Sequence, residues 1–365
     1  MPQVPKVPPD HSPTALSGQL AKQRRTVDFD TFDIHMQQFL SMLKEKQILV
    51  SPKYQRKFRW SPDQCSQFIE SLLLGIPIPS LFMATNADSS WEVVDGVQRL
   101  STIIKFAGDK ELRTRLGLGD ALILSDLQKL TDFVGLTFGE IPQTIQLHFW
   151  TRPIKVITLN DKSDPVVRYD LFERLNTGGV ALSHQEIRDC VFQGEFADRL
   201  EQWSKLPTFL KAVKLKKLQQ RDATAEECIL RFFAFRDRYK EFDHSVKIFL
   251  NDYMSDASKG FNYGPQEEIL LKTFKELARV FPKGISRQNR TTTPLNLYEG
   301  ISVGASLALN KVDKLHTADL AKWMESRELR EFTTGATNDR SAVKGRIEFC
   351  RDRFLGKPYV PRPAA

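Results

Sequence analysis

Residues 61–107 read as helix, strand, strand and helix in quick succession, and few folds accommodate that order in so short a span. "SPDQCSQFIESLLLG" opens with Ser61 as a cap, Pro62 at the first helical position and Gln64 in capping-box spacing, and closes at Gly75. "IPIPSLFMA" supplies a rigid proline turn followed by a strand, and "WEVV" a second strand. "WEVVDGVQRLSTIIKF" then turns at Asp95 and Gly96 and continues as a helix from near Val97. "ILV" at 48–50 and "TRPIKVITL" at 151–159 add further strands. Ahead of them, "DFDTFDIHMQQFLSMLKEKQ" predicts a helix, with Phe32, Phe39, Met42 and Leu43 at helical spacing after an Asp or Thr cap.

From Asp164 onward helical signals dominate. "SDPVVRYDLFERLN" ends at Asn176 before a Gly178–Gly179 turn, and "LSHQEIRDCVFQG" has Ser183 and Glu186 in capping-box spacing and stops at Gly194. Apolar residues recur helically at about 223–240, 265–281, 296–309, 317–333 and 338–355. The expected organisation is α+β: a proline-rich, disordered leader over 1–28, a small mixed domain over 29–160 and a mainly α-helical domain over 161–365. With no signal-peptide core and no apolar run near the ~20 residues that span a bilayer, the reading is a cytoplasmic protein with no membrane partner. Cys65, Cys190, Cys228 and Cys350 have no metal-ligand spacing and read as buried thiols.

Three polar concentrations carry candidate chemistry. In "PKYQRKFRW", Arg56 or Arg59 could clamp a phosphate while Tyr54 or Trp60 stacks a base; equally, the aromatics could be core anchors and the cations snorkel. At the start of the helix near Val97, unsatisfied first-turn amides favour an anion, with Gly96 allowing close approach. There Asp95 could ligate a divalent cation, Gln98 orient a water and Arg99 neutralise phosphate. "DGVQ" also fits an Asp cap with Gln98 as its reciprocal partner and no ligand at all. In "FERLNTGGVALSHQEIRD", Glu173, Arg174 and Asn176 precede a glycine pair that is either a helix stop or an anion nest without a Walker-type lysine.

The formal net charge of +8 makes phosphate-bearing partners plausible, and the cations cluster. "KLPTFLKAVKLKKLQQR" holds Lys205, Lys211, Lys214, Lys216, Lys217 and Arg221, and "KGISRQNR" holds Lys283, Arg287 and Arg290. Each cluster is either a solvated face or a nucleic-acid contact; Lys211, Lys214, Lys217, Arg221, Arg287 and Arg290 are the candidates for the latter.

"YQRKFRW", "SLLLGIPIPSLFM", "EVVDGVQRLSTI" and "FERLNTGGVALSHQEIRD", in this order, resemble the DGQQR-motif proteins related to the GmrSD restriction systems, from about residue 30 to 195. The resemblance implies a ParB/sulfiredoxin-like domain that binds and often hydrolyses nucleoside triphosphates, in systems that defend bacteria against phage or modified DNA; Mg2+ is the divalent cation that Asp95 could ligate there. Tyr54, Gln55 and Arg56 would line the nucleotide or DNA site. Asp95, Gly96, Gln98 and Arg99 would form the signature, and Glu173, Arg174 and Asn176 would complete the pocket. Here Val97 replaces the first glutamine of DGQQR, and valine cannot hydrogen-bond a nucleotide or a water. None of the six histidines sits in a recognisable HNH pattern; His244 reads as an ordinary helix or loop histidine. The resemblance therefore implies DNA and a separate nuclease or other defence protein as partners, with homo-oligomerisation compatible. Two alternatives stay open: a non-enzymatic DNA-binding regulator of the same fold, and a metal-dependent nuclease built on Asp95.

Overall fold

The structure is a computed structural model that describes residues 12–23, 28–50, 58, 60–86, 88–160, 165–175, 182–217, 219, 222–335 and 337–358. It divides into two compact units, Met1–Val180 and Ala181–Ala365.

The first unit is built on a mixed five-stranded sheet. Its strands are β1 (Phe29–His35), β2 (Ile48–Leu49), β3 (Leu81–Thr85), β4 (Trp91–Asp95) and β5 (Pro153–Leu159), in the order β1-β5-β3-β4-β2. β1 runs antiparallel to β5 and β3 antiparallel to β4, while β3 with β5 and β2 with β4 are parallel. The central strands carry the buried core of the sheet, with Leu81, Met83, Val93, Ile154 and Val156 fully enclosed. β1 corrects the expectation of one helix over 28–47: seven residues pair with β5, and the helix begins only at Met36. Phe32 therefore lies on a strand, where its half-exposed ring packs on Trp91 at 5.2 Å. Within the stretch read as a leader, Pro13–Gln23 is helical, with proline at its first position.

Helix Pro62–Leu73 forms as its sequence dictates. The Ser61 hydroxyl accepts from the Gln64 amide at 3.2 Å, and the Gln64 side chain accepts from the Ser61 amide at 3.0 Å. Its buried Glu70 accepts the amides of Gln128, Lys129 and Leu130 at 3.2, 2.6 and 2.8 Å, pinning that loop to the helix.

In the second unit helices pack around one apolar core that includes Trp203, Phe232, Phe233, Phe274, Tyr298 and Phe349. The expected helices stand at Thr224–Arg238, Tyr263–Val280, Leu295–Leu309 and Arg340–Phe354. The stretch 317–333 is instead two short helices, Leu320–Met324 and Arg327–Thr333, because Ser326 caps the second through the Leu329 amide. Helix His184–Val191 starts with the expected Ser183–Glu186 capping box, but Gly194, at φ +123°, leads into the next helix, Glu195–Ser204.

Through this core runs a chain of buried ion pairs. Arg188 meets Glu227 at 3.1 Å, Glu227 meets Arg231 at 2.6 Å, Arg231 meets Glu299, and Glu299 meets Arg346. Glu299 and Arg346 have no solvent exposure. Burial favours a neutral Glu227, yet Arg231 and Arg188 hold its carboxyl below the ordinary glutamate range. All four cysteines are free and buried.

Candidate nucleotide site

β4 delivers Asp95 to the sheet edge, and Gly96 turns the chain into helix Val97–Ala107. Gly96 is required there. Its φ is +100°, and an added Cβ would stand 2.3 Å from Leu81 Cδ2. This glycine is the helix cap residue, and no side chain caps the helix. The reading of "DGVQ" as a reciprocal Asp–Gln capping box is thereby overturned: both side chains reach elsewhere.

Asp95 Oδ2 accepts from Arg99 Nη2 at 2.7 Å, one helical turn on. Arg99 Nη1 donates to the carbonyls of Pro79 and Ser80, the latter at 3.2 Å. The proline turn before β3 is thus fastened to the strand-to-helix turn after β4 by one guanidinium. Burial pushes the Arg99 pKa down and Asp95 opposes that shift; Arg99 remains charged at neutral pH. Gln98 Oε1 accepts the Trp60 amide at 3.2 Å, and seven residues along the same helix Lys105 Nζ lies 5.4 Å from the Phe58 ring centre. Trp60 also packs edge-on against Phe68 of the capped helix, at 5.5 Å.

Three of the sequence segments are therefore interlocked: the aromatic–cationic run through Phe58 and Trp60, the proline turn through Arg99, and the Asp95–Arg99 turn that grips both. Sequence reading missed Lys105 and the carbonyls of Pro79 and Ser80; nothing in their local pattern marks them. Val97 is 9% exposed and serves packing. The fourth segment contributes helix Pro165–Leu175, which packs on β4 with Glu173 half-buried and Arg174 exposed. Tyr54, Gln55, Arg56, Arg59, Asn176, Gly178 and Gly179 lie outside the described residues.

Residues 37–193 match the GmrSD restriction endonuclease N-terminal domain. That segment is related to the GmrSD restriction systems, and it extends past the first unit into helix His184–Val191 of the second. The match points to a component of a restriction-type system. None of the curated proteins or solved structures compared with the chain matches it.

Among the described residues no group of three or more His, Cys, Asp or Glu could hold a metal ion, and no helix is long and apolar enough to cross a membrane. Asp95 has one oxygen on Arg99, so a cation there would draw its remaining ligands from water, a bound ligand or further side chains. His244 is an exposed residue just before helix Val246–Lys259.

Of the nucleic-acid candidates, Lys211, Lys217 and Arg290 are exposed, and Arg221 lies outside the described residues. Lys214 and Arg287 are not free surface cations. Lys214 Nζ donates to the Leu210 carbonyl at 3.0 Å. Arg287 donates to the carbonyl of Met324 and, at 2.6 Å, to Thr333 Oγ1, and Glu325 lies 3.8 Å away. Both tie secondary structure together.

Proposed function

We propose that this chain is a nucleotide-sensing, NTP-hydrolysing subunit of a restriction-type defence system that acts on DNA with a nuclease partner. The observation that carries the reading is the interlock at Arg99, where separate segments of the chain converge on a helix start that no side chain caps. Backbone amides of such a first turn favour a phosphate group. Asp95, about a third exposed at its side chain, would share an Mg2+ ion with the nucleotide phosphates. Arg99 would hold Asp95 in place and lend positive charge to the site, while Gln98 positions the aromatic–cationic segment through Trp60. Tyr54, Gln55, Arg56, Glu173, Arg174 and Asn176 are the proposed remaining wall.

The test is calorimetric titration of each NTP with Mg2+, paired with phosphate release in the presence of DNA. Binding lost in Asp95→Asn supports the site; a wild-type chain that neither binds nor hydrolyses any NTP refutes it. Val97 favours a second reading, a regulator that binds DNA without hydrolysis, because a buried valine has no hydrogen bond to give a nucleotide or a water. In that case DNA affinity is the same with or without NTP and in Asp95→Asn.

A further inference from the structure

The two basic clusters of the second unit are distant in sequence, and neither segment 205–221 nor 281–298 contains an acidic residue. The fold stitches them together. The Ile285 amide donates to the Ala212 carbonyl at 2.7 Å, the Thr293 amide to the Lys214 carbonyl at 2.8 Å, and the Lys214 amide to Thr293 Oγ1 at 2.9 Å. Beneath them helices Pro207–Ala212 and Tyr263–Val280 pack against each other. Gly284, at φ +93°, lies against the Lys214 stem so closely that an added Cβ would stand 2.5 Å from Lys214 Cγ.

The Lys214 side chain is turned back onto the Leu210 carbonyl, Arg287 is engaged with Met324 and Thr333, and Lys205 pairs with Glu201 at 2.7 Å. That leaves Lys211, Lys216, Lys217, Lys283 and Arg290, all exposed and none of them, among the described residues, in an ion pair. Exposed Gln288, Asn289 and Thr291 lie among them as neutral hydrogen-bond donors of the kind that contact phosphate oxygens. Leu210 is the exposed large apolar side chain here; a lipid surface would call for a continuous apolar face beside the charges.

We propose that these five cations form one binding surface for the phosphate backbone of duplex DNA, created by the Lys214–Thr293 and Ala212–Ile285 junction and not by either cluster alone. The inference rests on the reading of DNA as a partner but not on the nucleotide site. Binding is sequence-independent and driven by counterion release, so its salt dependence counts the contacts.

The experiment is fluorescence anisotropy of the full chain on a duplex of about 20 base pairs, without nucleotide, between about 50 and 200 mM salt. Five contacts give a slope of log K against log salt of roughly −4.5. The double substitutions Lys216→Gln with Lys217→Gln, and Lys283→Gln with Arg290→Gln, each flatten it by about 1.8. Gly284→Ala leaves the net charge unaltered and weakens binding about tenfold by forcing the halves apart, with the circular dichroism spectrum checking that the chain still folds; if it does not, the two double variants decide. The assay contains no nucleotide, so failure of the nucleotide site is read separately, in the calorimetric titration of NTP. The proposal is overturned if the chain does not bind duplex DNA, if either double variant leaves the slope unchanged, or if single-stranded RNA is bound more tightly than the duplex.

Discussion

Arginine–carboxylate pairing occurs in both units, and the two settings differ in nearly every physical respect. In the sheet unit Asp95 and Arg99 meet at the lip of a strand-to-helix turn, with side chains 34% and 12% exposed. In the helical unit Arg188, Glu227, Arg231, Glu299 and Arg346 form a continuous chain inside the core. Asp95 is open to water if Arg99 is removed, and Arg99 keeps the carbonyls of Pro79 and Ser80 if Asp95 is removed. In the second setting, Glu299 and Arg346 have no solvent exposure, and loss of either would strand the other's charge in an apolar surround. One arrangement leaves a carboxylate partly open to solvent; the other ties helices together.

The strongest challenge to this contrast is Glu299→Ala, which leaves Arg231 and Arg346 without their shared carboxylate and should cost about 3–5 kcal/mol in denaturant unfolding of the helical unit. A cost near zero would mean that the chain is not a connected network. Its acid response has a definite sign. Because Glu227 is held below the ordinary glutamate range, its stabilising contribution is complete above that range and disappears as pH falls through the lowered value. Circular dichroism should show the helical unit losing stability below about pH 4, with Glu227→Gln less stable at neutral pH and less sensitive to acid.

A middle-sized effect belongs to Gly96→Ala. A left-handed backbone and the Leu81 contact together should cost about 2 kcal/mol in the sheet unit and displace Asp95 from the helix start. Smallest of all for stability is Asp95→Asn, at most about 1 kcal/mol for a partly exposed pair, while nucleotide affinity falls at least about tenfold. If Asp95→Asn destabilises as much as Glu299→Ala, the sheet-unit pair is a structural brace and the contrast fails.

Much of the fold was readable from local chemistry. The Ser61–Gln64 and Ser183–Glu186 boxes announce their helices, and the apolar runs at 81–85, 91–95 and 153–159 announce buried strands. β1 escaped because Phe32, Phe39 and Met42 happen to fit a helical period across a strand-to-helix junction. At the site, the sequence marked Asp95, Gln98 and Arg99 as special but not what they touch. Arg99's partners are carbonyls some 20 residues away, and Gln98's is the Trp60 amide 38 residues away; main-chain donors and acceptors carry no residue signature. The polar face of helix His184–Val191 was equally opaque. Gln185, Glu186, Arg188 and Asp189 look solvated in the sequence and are buried, because Arg188 is answered by Glu227 and Asn251 from much later in the chain.

That last helix also separates inheritance from folding. The segment shared with the GmrSD domain runs to residue 193, whereas the first compact unit stops at Val180. A fragment trimmed to the shared segment would keep Arg188 and discard Glu227 and Asn251, leaving a charged, apolar-flanked tail with nothing to fold against. Anyone excising the sheet unit for crystals or labelling should cut near 180, and anyone exchanging the helical unit should carry residues 184–191 with the helices they serve.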